Sequence, residues 1–312
     1  MSHEPVFYSD DLYALPSLRI SAFLPWEEEP KPEDTLEIIA LIKETLGPRM
    51  PGVWGTHLRP HEDLHRVTDK DWQRLEKLFA EEDGRLSHTM FYGPGINLDD
   101  VRMTMPYAFI KSDVGSVYFN ISIAHDDEDG KALLIERIWP FLRECSPIYA
   151  YMNYGYTPNA LAHTLPMTEV AKVRNRYRTA PALADYGYDN MIACPEFFAE
   201  WCEDHGHPSP IGIHEIGWRT LLGTHYEDRL DQLDLSGIPG VTAIRTPGQL
   251  EIVIGDAPFW GDVNQQEDIS AWREVHERLK PVRISEHWCH NATPLDKRTD
   301  AFENYFWMWY DR

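Results

Sequence analysis

An α+β fold, with antiparallel sheets and packed helices, follows from three features of the sequence. Strand signals come as neighbouring pairs joined by tight turns, which specifies antiparallel hairpins rather than crossover units. Capped amphipathic stretches separate them. One order also recurs: two strands, an acidic or polar loop, then an amphipathic helix. It runs through YAFIK, VYFNISIAHDDEDG and ALLIERIWPFL, and again through VTAIR, LEIVIGDAPFWGDVN and ISAWREVHERL. The recurrence suggests two similar α+β halves, 1–157 and 158–312.

In chain order, Leu18 to Leu24 (LRISAFL) alternates as a strand does, and the acidic, proline-bearing WEEEPKPED after it is a loop. Asp34 with Glu37 makes a capping box before Leu36, Ile39, Ala40, Ile42 and Leu46, and Gly47 closes that helix. Arg49 to Val67 reads as irregular. Thr68 or Asp69 then caps a helix whose buried stripe is Trp72, Leu75, Leu78 and Phe79.

Phe91 to Ile96 is turn-rich, and a hairpin follows, Tyr107 to Lys111 against Val117 to Ala124. The second arm sets Val117, Phe119, Ile121 and Ile123 on one face and Tyr118, Asn120 and Ser122 on the other, the pattern of a half-buried strand. Ala132 to Leu142 is helical despite Pro140, and Ile148 to Tyr154 is a strand ended by Gly155. Helical candidates at Glu169 to Tyr177, Pro195 to Glu203 and Tyr226 to Leu233 follow, with Ile216 to Gly223 a helix or a strand. Val241 to Arg245 and Leu250 to Ile254 form a second hairpin. Asp268 stands where an N-cap should precede Ile269, Trp272, Val275, His276 and Leu279, and Pro281 stops that helix. The aromatic tail AFENYFWMWYDR is expected to dock on the body.

The 312 residues carry 51 Asp plus Glu against 29 Lys plus Arg, a formal charge of −22. Such a field repels nucleic acid and anionic lipid and attracts a basic partner. No apolar run approaches the ~18 residues that cross a bilayer, and the first twenty residues lack a secretory pattern, so a cytoplasmic protein is expected. Cys145, Cys194, Cys202 and Cys289 are far apart and read as reduced thiols.

Catalytic motifs are scarce. GxSxG, GxxxxGK[ST] and GxGxxG are all missing. His61, Glu62 and His65 spell HExxH, which on a helix would set two imidazoles on one face for zinc with Glu62 polarising a bound water. The flanks GTHLRP and RVTDKDW lack the apolar run of such a helix, so a zinc-dependent hydrolase is the alternative rather than the main expectation. No cofactor is expected, and no enzymatic activity. The acidic runs Glu27, Glu28 and Glu29, Asp99 and Asp100, and Asp126, Asp127, Glu128 and Asp129 fall on loops, where they are available to a partner or simply keep a face solvated. Near Trp26 and Tyr92 they suit a surface that combines charge steering with aromatic anchors.

GDVNQQEDISAWREVHERLKPVR, preceded by IGWRTLLG, carries a resemblance. Gly217, Trp218, Leu221, Leu222 and Gly223, then Gly255, Gly261, Asp262, Val263 and Asn264, then Leu279, Lys280 and Pro281 resemble the C-terminal half of the type VI secretion immunity family, the TsiV-like proteins; YFNISIA and NYGYTPNAL resemble its middle. The likeness covers about half the chain. It implies a protein that binds and neutralises a toxin delivered by such a system, protecting the producer and its kin. An acidic inhibitor suits a nuclease target, whose cleft must attract phosphates. Trp218, Gly223, Gly261, Asp262 and Asn264 are expected to be structural, the last three forming a turn and capping the following helix. The acidic loops are the expected toxin contacts. An adaptor without a toxin partner is a further alternative.

Overall fold

The computed structural model describes residues 5–8, 11–25, 32–47, 52–55, 65–80, 89–93, 105–113, 116–158, 176–179, 213 and 215–282. In order, its elements are β1 (Val6–Tyr8), β2 (Asp11–Pro25), α1 (Pro32–Leu46), β3 (Gly52–Gly55), β4 (His65–Arg66), α2 (Asp69–Ala80), β5 (Thr89–Tyr92), β6 (Tyr107–Asp113) and β7 (Ser116–Ala124). Next come α3 (Glu128–Leu133), a π-helical turn at Leu134–Ile138, α4 (Trp139–Cys145), β8 (Tyr149–Pro158) and β9 (Arg219–Leu222). The rest comprises α5 (Glu227–Leu230), β10 (Val241–Thr246), β11 (Gln249–Ile254), a 3-10 turn at Val263–Gln265, and α6 (Ser270–Arg278).

The described strands join one antiparallel sheet in the order β10-β11-β9-β8-β2-β7-β6-β5-β3-β4, with β1 also on β2. β2 lies at its middle. It pairs with β7 from Ser17↔Ala124 to Pro25↔Ser116 and with β8 from Ala14↔Pro158 to Phe23↔Tyr149. Because β8 pairs with β9 on its other side, the sheet runs unbroken past 157/158, and the two sequence halves share it.

Each face of the sheet carries its own core. Leu18, Ile20, Ala22 and Leu24 of β2, with Val117, Phe119, Ile121 and Ile123 of β7, pack against α1, α2 and the α3–α4 helix. The opposite face carries Phe23, Tyr118, Tyr149, Tyr151, Leu222 and Ile252 under α6 and Ile216. The hairpin-then-helix order thus recurs, with the two helices on opposite faces. Both faces of β7 are closed, so the half-buried pattern read from its sequence is incomplete. Asn120 and Ser122 are as buried as Ile121, and hydrogen bonds offset their burial. Ser122 Oγ donates to Asn120 Oδ1 (2.9 Å), and Asn120 Nδ2 donates to Ser21 Oγ (2.8 Å).

Several elements extend what the sequence suggests. β2 begins at Asp11 and runs through Pro16, which sits beyond the last β7 pair, where no N–H is needed on that side. The stretch read as irregular holds β3 and β4, and the turn-rich Phe91 lies on β5. The helix around Pro140 runs from Glu128 to Cys145 and widens to a π turn immediately before the proline, whose ring would crowd the Glu136 carbonyl in a regular helix. Ile216 to Gly223 resolves to strand β9, and Tyr226 to Leu233 to a 3-10 turn plus the short α5. The Pro195 helix, most of the Glu169 helix and the aromatic tail lie outside the described residues.

The HExxH reading requires a helix through His65, and His65 lies instead on β4, before α2 begins. His61 and Glu62 are outside the described residues. The His65 ring is buried and used locally. Its Nε2 contacts Asp71 Oδ1 at 3.1 Å, while Asp71 Oδ2 accepts from Thr68 N (2.8 Å) and Thr68 Oγ (2.6 Å). Asp71 thus satisfies the Thr68 N–H at the start of α2, the carboxylate half of a capping box, while Asp71 N donates to the Thr68 carbonyl at 3.0 Å. Burial raises the pKa of Asp71, but the Thr68 and His65 interactions outweigh it and hold the carboxyl below its ordinary 3.8. A lowered folded-state pKa contributes stability that is present above 3.8 and is lost as pH falls through it. Asp71→Ala is therefore expected to cost about 1–2 kcal/mol at neutral pH. Urea denaturation should show this gap narrowing in acid; a gap constant with pH would refute the cap.

Candidate functional site

Of the acidic runs, Asp126 to Asp129 lies within the described residues; Glu27 to Glu29, Asp99 and Asp100 do not. The turn follows β7 directly. His125 N donates to Pro16 O on β2 (3.3 Å) and Asp127 N to Ala124 O (3.0 Å), so the sheet itself fixes where the turn leaves it. Asp127 is a structural carboxylate: Oδ1 accepts from Gly130 N at 3.0 Å and caps α3. Gly130 has a packing reason, since a Cβ there would meet Ile123 Cγ2 at 2.4 Å. Asp126, Glu128 and Asp129 are exposed.

Lys131 lies under this turn and is nearly buried. Its Nζ donates to Glu128 Oε1 at 2.6 Å and to the Tyr154 hydroxyl at 3.1 Å, and stands 5.6 Å from the Tyr154 ring centre. Burial lowers its pKa, yet the Glu128 and Tyr154 contacts more than compensate, and the ammonium is held above its ordinary range. The turn's one internal cation is therefore committed to Glu128, leaving Asp126 and Asp129 outward.

Trp260 joins this turn to the loop after β11. Its ring stacks on Tyr154 (5.3 Å between centres), meets His125 edge-on (6.2 Å), and touches Tyr156 (5.5 Å) and Tyr177 (5.1 Å). Burial, then Tyr177, pushes the Tyr156 phenol far up, so it remains protonated. Next to Trp260, Gly261 adopts φ 61°, and a Cβ on it would meet Thr179 N at 3.0 Å. The 176–179 segment crosses here, with Arg178 N donating to Gly261 O at 3.0 Å.

Asp262 is fully buried and satisfied from several sides. Oδ1 accepts from Asn264 N (2.9 Å); Oδ2 accepts from Gln265 Nε2 (3.1 Å) and pairs with Arg176 (3.4 Å). Burial raises its pKa, and these donors overcome that, leaving it below the ordinary value. It caps the Val263–Gln265 turn rather than α6. Asp268 serves α6, with Oδ1 accepting from Ser270 N at 2.8 Å, although the cap position itself belongs to Ile269. Beyond Asp262 the loop is outward: Val263 is 46% exposed, and Asn264 to Asp268 are exposed.

Trp218 and Gly223 frame β9. The Trp218 indole donates to Gly255 O (3.2 Å), and Gly223 N to Ile148 O (3.0 Å), where a Cβ would meet Pro147 O at 1.9 Å. All five motif residues thus have structural partners. The Asp126 to Asp129 turn and the Gly261 to Asn264 loop are brought together at Trp260. Sequence reasoning missed Trp260, Tyr154, Tyr156 and Arg176 as organisers; the signal available was the NYGYTP alternation, which puts both tyrosines on one face of β8.

No family model and no curated protein matches the sequence. Among solved structures the fold is similar to that of Pseudomonas aeruginosa T6SS protein PA0821, with a TM-score of 0.70 and 15% identity, covering 96% of this chain and 83% of that one. At that identity the likeness is one of fold.

Gly261→Ala and Gly240→Ala both force an L residue into positive φ, but no atom lies within 4 Å of the Gly240 Cβ position. Gly240→Ala should cost about 1–2 kcal/mol, and Gly261→Ala measurably more, by chemical denaturation. Equal costs would mean that the contact with Thr179 carries no energy.

Proposed function

We propose that this chain is an immunity protein that binds a toxin of a type VI secretion system, a basic nuclease, and blocks its cleft or its assembly. The observation carrying this is the fold shared with a T6SS protein along nearly the whole chain. The motif residues that resemble the immunity family support it, as does the charge of −22. A nuclease cleft presents positive charge to phosphates, and an acidic surface meets it with the right sign. On this reading the protein is not an enzyme, needs no cofactor, and acts in the cytoplasm before the toxin reaches its substrate. No described helix is long and apolar enough to cross a membrane.

The contact surface would include Asp126 and Asp129, together with Glu128, which stays 83% exposed although it also pairs with Lys131, and with Val263 and the exposed loop to Asp268 beside them. A turn fixed by the sheet and a loop fixed by Trp260 present charge with little ordering cost on binding. Asp127 and Asp262 are excluded from the contact set because their carboxylates are used internally. Glu27, Glu28, Glu29, Asp99 and Asp100 stay in the proposal as additional acidic contacts. The adaptor alternative predicts no such neighbour-specific binding.

Pull-down with the secreted protein encoded next to it, followed by a nuclease assay on that protein, tests the reading. Reversing Asp126 and Asp129 to Lys should slow association at least tenfold and weaken the salt dependence, since steering is screened over about 8 Å at physiological ionic strength. The fold should be retained, since neither side chain makes a hydrogen bond within the turn, at a cost of about 1 kcal/mol for Asp129→Lys in the first turn of α3. A complex of unchanged rate and salt dependence would remove the turn from the contact surface, and failure to bind or protect against any neighbouring toxin would overturn the immunity reading itself.

A further inference from the structure

Away from the acidic turn, two arginines converge on one carboxylate. Glu251 of β11 is buried on the face that α4 covers, and its Oε1 accepts from the Trp139 indole at 2.9 Å. Arg143 of α4 approaches Oε2 through Nε at 3.2 Å, and Arg219 of β9 approaches Oε1 at 3.9 Å. Arg219 also lies over the Trp218 ring, 4.6 Å from its centre, which orients the guanidinium plane.

The charges do not balance. Two guanidinium groups share one carboxylate, leaving one positive charge without a counter-charge among the described residues. Arg143 Nε stands 3.2 Å from Glu251 Oε2 as an ion pair without a hydrogen bond, and the Arg143 side chain is 47% exposed, open to a ligand from solvent. Arg219 keeps a buried Nε with no hydrogen-bond partner. Burial, with repulsion from Arg143, lowers the Arg219 pKa against the pull of Glu251, the sign expected where cations are crowded.

We infer that Arg143 and Arg219, held by Glu251 and Trp139, form a binding site for an oxyanion, a carboxylate or a phosphate group. Planar guanidinium groups donate paired hydrogen bonds to such oxygens, and a bound anion would supply the missing counter-charge. Glu251 is the positioning residue, fixing both side chains from below while the ligand approaches from the exposed side of Arg143. The site lies on α4, β9 and β11, and does not depend on the toxin reading.

Thermal unfolding of the purified chain, titrated with inorganic phosphate or with acetate against sodium chloride at matched ionic strength, tests this. A ligand that binds the folded state raises the Tm with concentration, and which anion does so identifies the source chemistry. Arg143→Gln should weaken the apparent affinity about tenfold, whereas Arg137→Gln, removing a charge that pairs with Glu44 on the surface, should leave it unchanged. No specific rise with either anion, or the same rise in Arg143→Gln, would overturn the proposal.

Discussion

The structure depends on β2 being closed on all sides. It hydrogen-bonds to β7 and β8, strands more than ninety residues further along, and both of its faces are buried. One face gains from apolar burial, at about 1.5–3 kcal/mol for each large side chain such as Leu18 and Ile20. The other carries Ser17, Arg19 and Ser21, which must be matched by polar partners on the neighbouring strands. Ser17 Oγ lies 2.7 Å from Thr157 Oγ, Arg19 Nε donates to Ser21 Oγ at 3.2 Å, and Ser21 receives Asn120. A shift of one residue would exchange the two faces, breaking both sets together, so register is specified twice over.

That register fixes the candidate surface. Asp126 and Asp129 stand where they do because β7 ends against Pro16 of β2, and Tyr154 and Tyr156 reach Trp260 because β8 pairs with β2 on the other side. Asn153 adds a polar tie, with Nδ2 donating to Thr179 O (3.2 Å) and Oδ1 accepting from Phe259 N (3.2 Å). The loop from β11 and the 176–179 segment are thereby fastened to the central sheet.

Local signals made much of this legible. The α2 cap at Thr68, the β6–β7 and β10–β11 hairpins, and the apolar stripe of α6 follow from spacing alone, because each is decided by residues a few positions apart. What was not legible is decided across the chain. β3 and β4 are too short to show alternation, and exist because β5 offers an edge to β3, and β3 in turn to β4. Asn120 and Ser122 look like a solvated face, yet both are buried, and the partner that accommodates them, Ser21 of β2, lies ninety-nine residues back along the chain. The HExxH string, kept only as an alternative because its flanks lack an apolar helix, fails for the same reason: a motif of side-chain types carries no statement of backbone geometry, and His65 is on a strand.

The carboxylates divide by what their oxygens already do. Asp71, Asp127, Asp262 and Glu251 each accept donors from the fold, and their charge is cancelled or delocalised into caps and ion pairs. Asp126 and Asp129 carry no such duty, so the free negative charge sits on the surface the toxin reading uses. The same division explains how an oxyanion site can exist in a chain of charge −22. At physiological salt, charges beyond about 8 Å are largely screened, so an incoming anion responds chiefly to its immediate surroundings. There it meets two guanidinium groups and one buried carboxylate already bound from below. Overall acidity decides which partners approach the molecule; local excess decides which groups it can hold.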